Sequence, residues 1–314
     1  MALPGLLKIG TRGSRLALVQ TQTVAEALQK KHPKLKIKIQ TITTSGDRLK
    51  GEAFKAQGGK GLFAKEIEEA LLSGEIDCGV HSLKDLPAFL PDGLILACFP
   101  KRADPRDLFI SAQYKNLETL PRGAIIGTGS PRRQAQLRSQ APHFRIETVR
   151  GNVDTRLRKL AEGKWDALVL AAAGLERLKK KTTSYQSLNP NVFVPAAGQG
   201  ILTLEIKAGQ EELTQLLQKA LNDRETEWAA RAERAFLKTI GGDCYTPLGG
   251  FCRREREEWK ITGWLGLPDG KKFVCLEEKQ IEEGPEALGE KLGRRLLAQG
   301  GKEILDAIVA DPAR

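Results

Sequence analysis

Apolar positions along the chain fall into short runs separated by amphipathic stretches. The runs "LLKIGT", "KIKIQTI", "CGVHS", "LILACF", "DLFIS", "AIIGT", "ALVLAA" and "ILTLEI" have the length and composition of strands buried in a sheet. Between them, "SRLALVQTQTVAEALQK" and "LFAKEIEEALLSGE" repeat apolar residues at helical spacing. This alternation predicts an α/β architecture with parallel or mixed sheets. Past about residue 222 the pattern changes. Asn222 is a candidate helix cap with Glu225 at the capping-box position; Trp228, Ala232, Phe236 and Ile240 then share a face, and Gly241 and Gly242 stop the helix. "WKITGWL", the turn "PDG" and "KKFVCLE" predict an antiparallel hairpin. A helix follows, its apolar period running through Leu288, Leu292 and Leu296 to Ile304 and Ile308. This end reads as a small α+β domain.

A chain of 314 residues has room for two or three domains. "FPKRADPRD", residues 99–107, sets two prolines and five charges between apolar runs and predicts a connection between domains. With 40% hydrophobic and 28% charged residues, the composition is that of a globular protein. The N-terminal residues lack a basic region followed by an unbroken apolar run, and no stretch approaches the ~20 apolar residues of a membrane span, so a cytoplasmic location with no membrane association is expected. Five widely spaced cysteines without a C-x-x-C pair, and only three His, predict neither a disulfide framework nor a metal site.

Charge changes the picture further. The net charge of +11 is concentrated: residues 121–160 hold nine Lys/Arg and two Asp/Glu, 9 − 2 = +7. An anionic partner is expected there. In "AIIGTGSPRRQAQLR" a strand runs into a turn, Ser130 is suited to cap a helix, Pro131 to open it, and Arg132 and Arg133 crowd its positive end. The motif fits carboxylate or phosphate binding, and equally an exposed first turn with two solvated arginines. "RGSRLALVQ" repeats the theme, with Arg12 at the strand end and Ser14 as cap. "VRGNVDTRLRKL" adds Arg150 and Arg156, while Arg158 and Lys159 read as an ordinary basic helix face. Nucleic acid is not expected: aromatics make up 5% of the chain and Phe144 alone lies near the basic segment, so no stacking platform exists. "GGKGLF" fails the phosphate-loop pattern, with Phe54 at the first glycine position and Gly61 at the last.

Two further residues invite chemistry. Asp85 in "HSLKDLP" follows a strand's carboxyl end; it suits a turn former, or a carboxylate that stabilises a cation or hands over a proton. His81 reads as a hydrogen-bonded core histidine. Cys244 in "GGDCYTP" lies in a loop after a helix end, where access is easier than in a core.

Taken in order, "HSLKDLP", "GTGSPRRQAQLR", "RGNVDTRL", "AAGQG" and "AERAFLKTIGGDCYTPLG" resemble the porphobilinogen deaminase (hydroxymethylbilane synthase) family, from Ile9 to about Gly249 and more loosely to the C-terminus. The resemblance implies two periplasmic-binding-protein-like α/β domains with a cleft and a small α+β third domain. Domain 1 is expected at 1–101 and 198–220, domain 2 at 102–197 and domain 3 at 221–314. It implies a cytoplasmic, monomeric enzyme that joins four porphobilinogen molecules head to tail, losing ammonia at each addition. The growing chain stands on a dipyrromethane cofactor held by a thioether to Cys244, and hydrolysis releases hydroxymethylbilane for tetrapyrrole synthesis. Asp85 matches the catalytic carboxylate. Ser14, Ser82, Lys84, Thr128, Ser130, Arg132, Arg133, Arg150 and Arg156 match cofactor-binding positions; Arg12, Arg177 and Gln199 match substrate-binding ones; Gly59, Lys60 and Phe63 match a mobile loop. The chain departs from the family's pattern at Asp243, where a small residue is usual, and at Gly129 and Pro131, where the common form has Ser and Leu.

Overall fold

The computed structural model describes residues 5–45, 64–180, 185–242, 245–280 and 283–310. The chain divides into two units, Met1–Ala103 with Ile201–Ala230, and Asp104–Gly200 with Arg231–Arg314. The first changeover falls inside "FPKRADPRD".

In the first unit, β1 (Leu6–Arg12), α1 (Arg15–Lys31) and β2 (Lys36–Ile42) are followed by α2 (Lys65–Ser73), β3 (Cys78–Ser82), a 3-10 turn at Leu83–Asp85 and β4 (Leu94–Cys98). The chain returns later as β10 (Leu202–Lys207) and α6 (Glu211–Leu221). The strands form one sheet in the order β2-β1-β3-β10-β4, with β1 parallel to β2 and β3, and β10 antiparallel to β3 and β4. Both faces are covered. Leu7 and Ile9 pack with Leu28 of α1 and Leu217 of α6, whereas Ile67 and Leu71 of α2 build a separate cluster with Ile76 and Leu94. The central strands β3 and β10 are buried on both sides, Thr203 and Glu205 included, whereas β2 at the edge alternates as KIKIQTI and has no fully buried residue.

The second unit repeats the pattern. It contains β5 (Asp107–Ile110), β6 (Ile125–Gly127), α3 (Pro131–Gln140), β7 (Arg145–Glu147), α4 (Val153–Ala161), β8 (Ala167–Ala171), α5 (Ala172–Arg177) and β9 (Tyr185–Ser187). The sheet order is β7-β6-β8-β5-β9, with β6 parallel to both neighbours and β5 antiparallel to both of its own. β7 and β9 are three residues each, too short to leave a periodic signal in the sequence.

The same unit holds an antiparallel sheet of β11 (Leu248–Glu255), β12 (Glu258–Gly266) and β13 (Phe273–Lys279). The expected hairpin is its β12–β13 part. Three helices accompany it: α7 (Arg224–Ile240), which begins in the first unit, α8 (Pro285–Leu296) and α9 (Lys302–Ala310). Two expectations need correction. The side chain that caps α7 is Asp223, whose carboxylate accepts from Thr226 N and Oγ1 at 2.9 and 2.7 Å; Asn222 instead accepts from Phe99 N and donates to Glu227. The apolar period from Leu288 to Ile308 is not one helix, because Gly300 at φ 103° kinks the chain between α8 and α9. Among the described residues, no helix is long and apolar enough to cross a membrane, and no cluster of His, Cys, Asp and Glu could hold a metal ion.

Candidate functional site

Parallel strands bring their carboxyl ends to one sheet edge, and in each unit a group of expected site residues gathers there. In the first unit, β1 ends at Arg12 and β3 at Ser82. Ser14 caps α1, its hydroxyl accepting from Ala17 N at 3.3 Å. Ser82 accepts from the buried Gln20 amide at 2.9 Å, which ties the end of β3 to α1. The next residues coil into the 3-10 turn. Leu83 and Leu86 are buried, the Leu83 N–H donates to Ile201 O at 3.0 Å and the Leu86 N–H donates to Leu83 O. Lys84 and Asp85 are exposed. Asp85 is therefore an accessible carboxylate on a turn pinned at both sides by core leucines.

In the second unit the expected cap is present. The Ser130 hydroxyl accepts from Arg133 N at 3.4 Å, and Pro131 opens α3. Thr128, at the end of β6, is buried and accepts from Ser130 N at 3.4 Å. Gly129 faces backbone: a Cβ there would lie 2.5 Å from Val149 O, so the turn as folded has no room for a side chain. Arg132 and Arg133 do not stand in solvent. Arg132 donates to Asp107 at 2.7 Å and to Val194 O at 2.6 Å, and Arg133 donates to Asp107, Val169 O and Gln199. Gln199, fully buried, donates in turn to Asp107 and to Pro105 O. Burial raises the Asp107 carboxyl, but the charges of Arg132 and Arg133, with hydrogen bonds from Gln199 and Arg132, outweigh it and hold the group at about 2.

Asp107 is the residue that sequence reasoning missed. Its signal was an acid at the head of the buried run "LFI", a position that demands a cationic partner.

The cations outnumber this carboxylate. The Arg156 guanidinium lies beside Gly129, 3.7 Å from where a Cβ would stand, and donates to Gly151 O at 2.8 Å. Burial, then the neighbouring Arg133 charge, lower its pKa, and among the described residues no carboxylate pairs with it. Arg150 is exposed nearby in sequence. Arg177 is half-buried on α5, its pKa lowered by burial and partly restored by Glu176, and it donates to Gly200 O at 2.7 Å. Arg132 Nε is a buried donor with no partner among the described residues. Arginine keeps its charge under such conditions, so Arg132, Arg133 and Arg156 set three positive charges against one negative. An unsatisfied donor, a like-charged pair and a capped helix start suit a ligand with several carboxylates. Of the remaining expected residues, Cys244, Gly59, Lys60 and Phe63 lie outside the described residues, as does Asp243.

Known proteins resemble this chain over nearly its whole length. Residues 7–215 match the family model "Porphobilinogen deaminase, dipyromethane cofactor binding domain", and residues 228–298 match "Porphobilinogen deaminase, C-terminal domain". The porphobilinogen deaminase of Brevibacillus brevis is 44% identical over 308 residues, covering 98% of this chain and 99% of the relative. That of Roseiflexus sp. (strain RS-1) is 46% identical over 299 residues, covering 95% and 98%. Among solved structures, a nutrient-binding protein from Burkholderia cenocepacia bound to methionine is similar at 16% identity and TM-score 0.42, over 68% of this chain and 90% of that one. With two family models spanning most of its length and relatives of this identity over nearly all of it, the chain belongs to the porphobilinogen deaminase family.

Proposed function

We propose that the protein is a hydroxymethylbilane synthase: it joins four porphobilinogen molecules head to tail with loss of ammonia and releases hydroxymethylbilane. The observation that carries this reading is the surplus of guanidinium charge around the α3 start in a chain whose family model is named for a dipyrromethane cofactor. Each ring of such a ligand bears acetate and propionate, and charge-assisted hydrogen bonds contribute about 1.5–3 kcal/mol each, so several hold it firmly. Bound dipyrromethane supplies the pyrrole carbon to which the first substrate ring is joined. Cys244 is its covalent anchor in this reading, used once rather than at each turnover. Arg132, Arg133, Arg150 and Arg156, with Thr128 and Ser130, bind its carboxylates. Ser14, Ser82 and Lys84 are further cofactor-binding residues in this reading, while Arg12, Arg177 and Gln199 serve the incoming ring.

Asp85 does the chemistry. When ammonia departs, substrate carries positive charge next to its pyrrole, and a carboxylate held on a rigid turn stabilises that charge without reorganising. The same group accepts a proton as a ring regains aromaticity. Gln199 and Arg132 also hold the Asp107 network together, so their contribution to binding includes keeping Arg133 in place. We further propose a monomeric cytoplasmic enzyme of three domains, 1–101 with 198–220, 102–197 and 221–314.

Intact mass under denaturing conditions tests the reading. After incubation with porphobilinogen the chain should gain two substrate units less two ammonia, mapped to the Cys244 peptide, and hydroxymethylbilane should appear. No adduct and no product would leave an anion-binding protein without this chemistry. An adduct that survives Cys244→Ser would place the anchor elsewhere.

A further inference from the structure

In the first unit, three titratable side chains are buried that the proposed chemistry does not use. His81 of β3, Glu205 of β10 and Glu68 of α2 are 7%, 0% and 6% exposed. His81 Nε2 lies 2.9 Å from Glu205 Oε2. The register explains how they meet. Across the β3–β10 pair, Thr203 stands opposite His81 and Glu205 opposite Gly79. The imidazole leans back over Gly79 to reach its partner; a Cβ at 79 would lie 2.8 Å from His81 Nε2 and 2.7 Å from Ile67 Cγ2. Gly79 is thus the gap into which β3 folds its own histidine, with α2 closing over it.

Polar demand in this pocket is unmet. Among the described residues, Glu68 Oε1, both Glu205 carboxylate oxygens and His81 Nε2 have no hydrogen-bond partner, so the His81–Glu205 approach is one of charge and not of an aligned hydrogen bond. Burial first, then the Glu205 charge, push the Glu68 carboxyl up to about 7, with His81 opposing. The charged groups that bear on Glu68 are Glu205 from β10, His81 from β3 and Glu69 from its own helix. A second buried carboxyl beside it makes a charge on Glu68 costly, so this low-dielectric site favours Glu68 in its neutral form. Loss of the Glu68 proton adds a buried negative charge to the cluster that holds His81, one residue before Ser82 at the end of β3.

We propose that His81, Glu205 and Glu68 are positioning residues: a buried cluster that fixes the end of β3, so that release of the Glu68 proton slackens the Leu83–Asp85 turn and lowers turnover. The consequence for turnover rests on the reading of Asp85 as the working carboxylate; the positioning of the turn does not.

The test is hydrogen–deuterium exchange of the segment 79–86 in the cofactor-loaded full chain, corrected for the chemical exchange rate, at about pH 6 and pH 8.5, alongside kcat and KM for porphobilinogen. In the wild type, protection of this segment should fall roughly 10-fold between the two pH values, which is a local rather than a global opening. The kcat should fall over the same range with KM unchanged. In Glu68→Gln, which keeps the neutral form at every pH, both dependences should disappear. Protection independent of pH in the wild type overturns the proposal, and this measurement decides even if the variant fails to fold. Superimposable pH profiles for the two proteins overturn it as well. Protection that changes while kcat does not would overturn the link to turnover and count against Asp85, leaving the buried triad intact.

Discussion

Two aspartates, Asp85 and Asp107, occupy opposite environments, and each environment dictates a different experiment. Asp85 is exposed on a pinned turn, so Asp85→Asn removes a negative charge without disturbing a core. Turnover should drop at least about 100-fold, the scale lost when one preorganised electrostatic group is removed. Ammonia release at saturating porphobilinogen reports it, with far-UV circular dichroism unchanged; a rate within a factor of a few of wild type would remove Asp85 from the chemistry. Asp107 is fully buried between Arg132 and Arg133. Asp107→Asn strands two guanidinium groups away from water, and breaking a buried pair in this way costs about 3–5 kcal/mol. A urea unfolding midpoint close to wild type would show that solvent or a ligand takes over the carboxylate's part.

Among the elements, α7 depends on one large side chain against the antiparallel sheet. Phe236 is fully buried, and its ring fills the space left open by Gly250 and Gly263 of the antiparallel sheet. Phe236→Ala opens a cavity there that the two glycines have no side chains to fill, and large-to-small changes of this kind cost about 3–5 kcal/mol. Thermal unfolding should register it as a lower midpoint, and a midpoint within a degree or two of wild type would mean the sheet collapses onto the helix. Elements with a long period were legible from sequence: the two strand-helix alternations, the Ser14 and Ser130 caps, the hairpin and the stop after Ile240 all recur in the fold. Those read differently had local reasons. The apolar stripe continues through Gly300 although the backbone does not, and Asn222 looked like a cap while its amide was taken by Phe99 N, distant in sequence.

For the molecule as a whole, buried charge sets how stability follows pH. Folded Glu68 keeps its proton up to about pH 7, whereas the ordinary carboxyl gives it up near 4.5. Between those values the folded chain binds the additional proton, so this contribution is complete below about 4.5 and is lost as pH rises through about 7. Asp107 has the opposite sign: its contribution is present above about 3.8 and is lost as pH falls through about 2. The urea midpoint of the wild type should therefore decline from about pH 5 to about pH 7.5, and Glu68→Gln should lessen that decline. Equal slopes in the two proteins would show that Glu68 titrates normally.

Much of the function was legible because it resides in short motifs. Asp85, Cys244 and the paired arginines stand in patterns that carry the family resemblance by themselves, and the +7 segment is the basis for expecting an anionic partner. Local signals also fixed the strands, the caps and the α/β class, since periodicity and capping depend only on near neighbours. What tertiary structure decided is where charge goes once it is buried. No local pattern tells that Arg132 and Arg133 turn inward to Asp107, that Gln199 joins them, or that His81 leans over Gly79 toward Glu205. Those pairings join residues far apart in the chain, and the free energy that creates them, the desolvation of one charge offset by another, exists only after the sheets have formed.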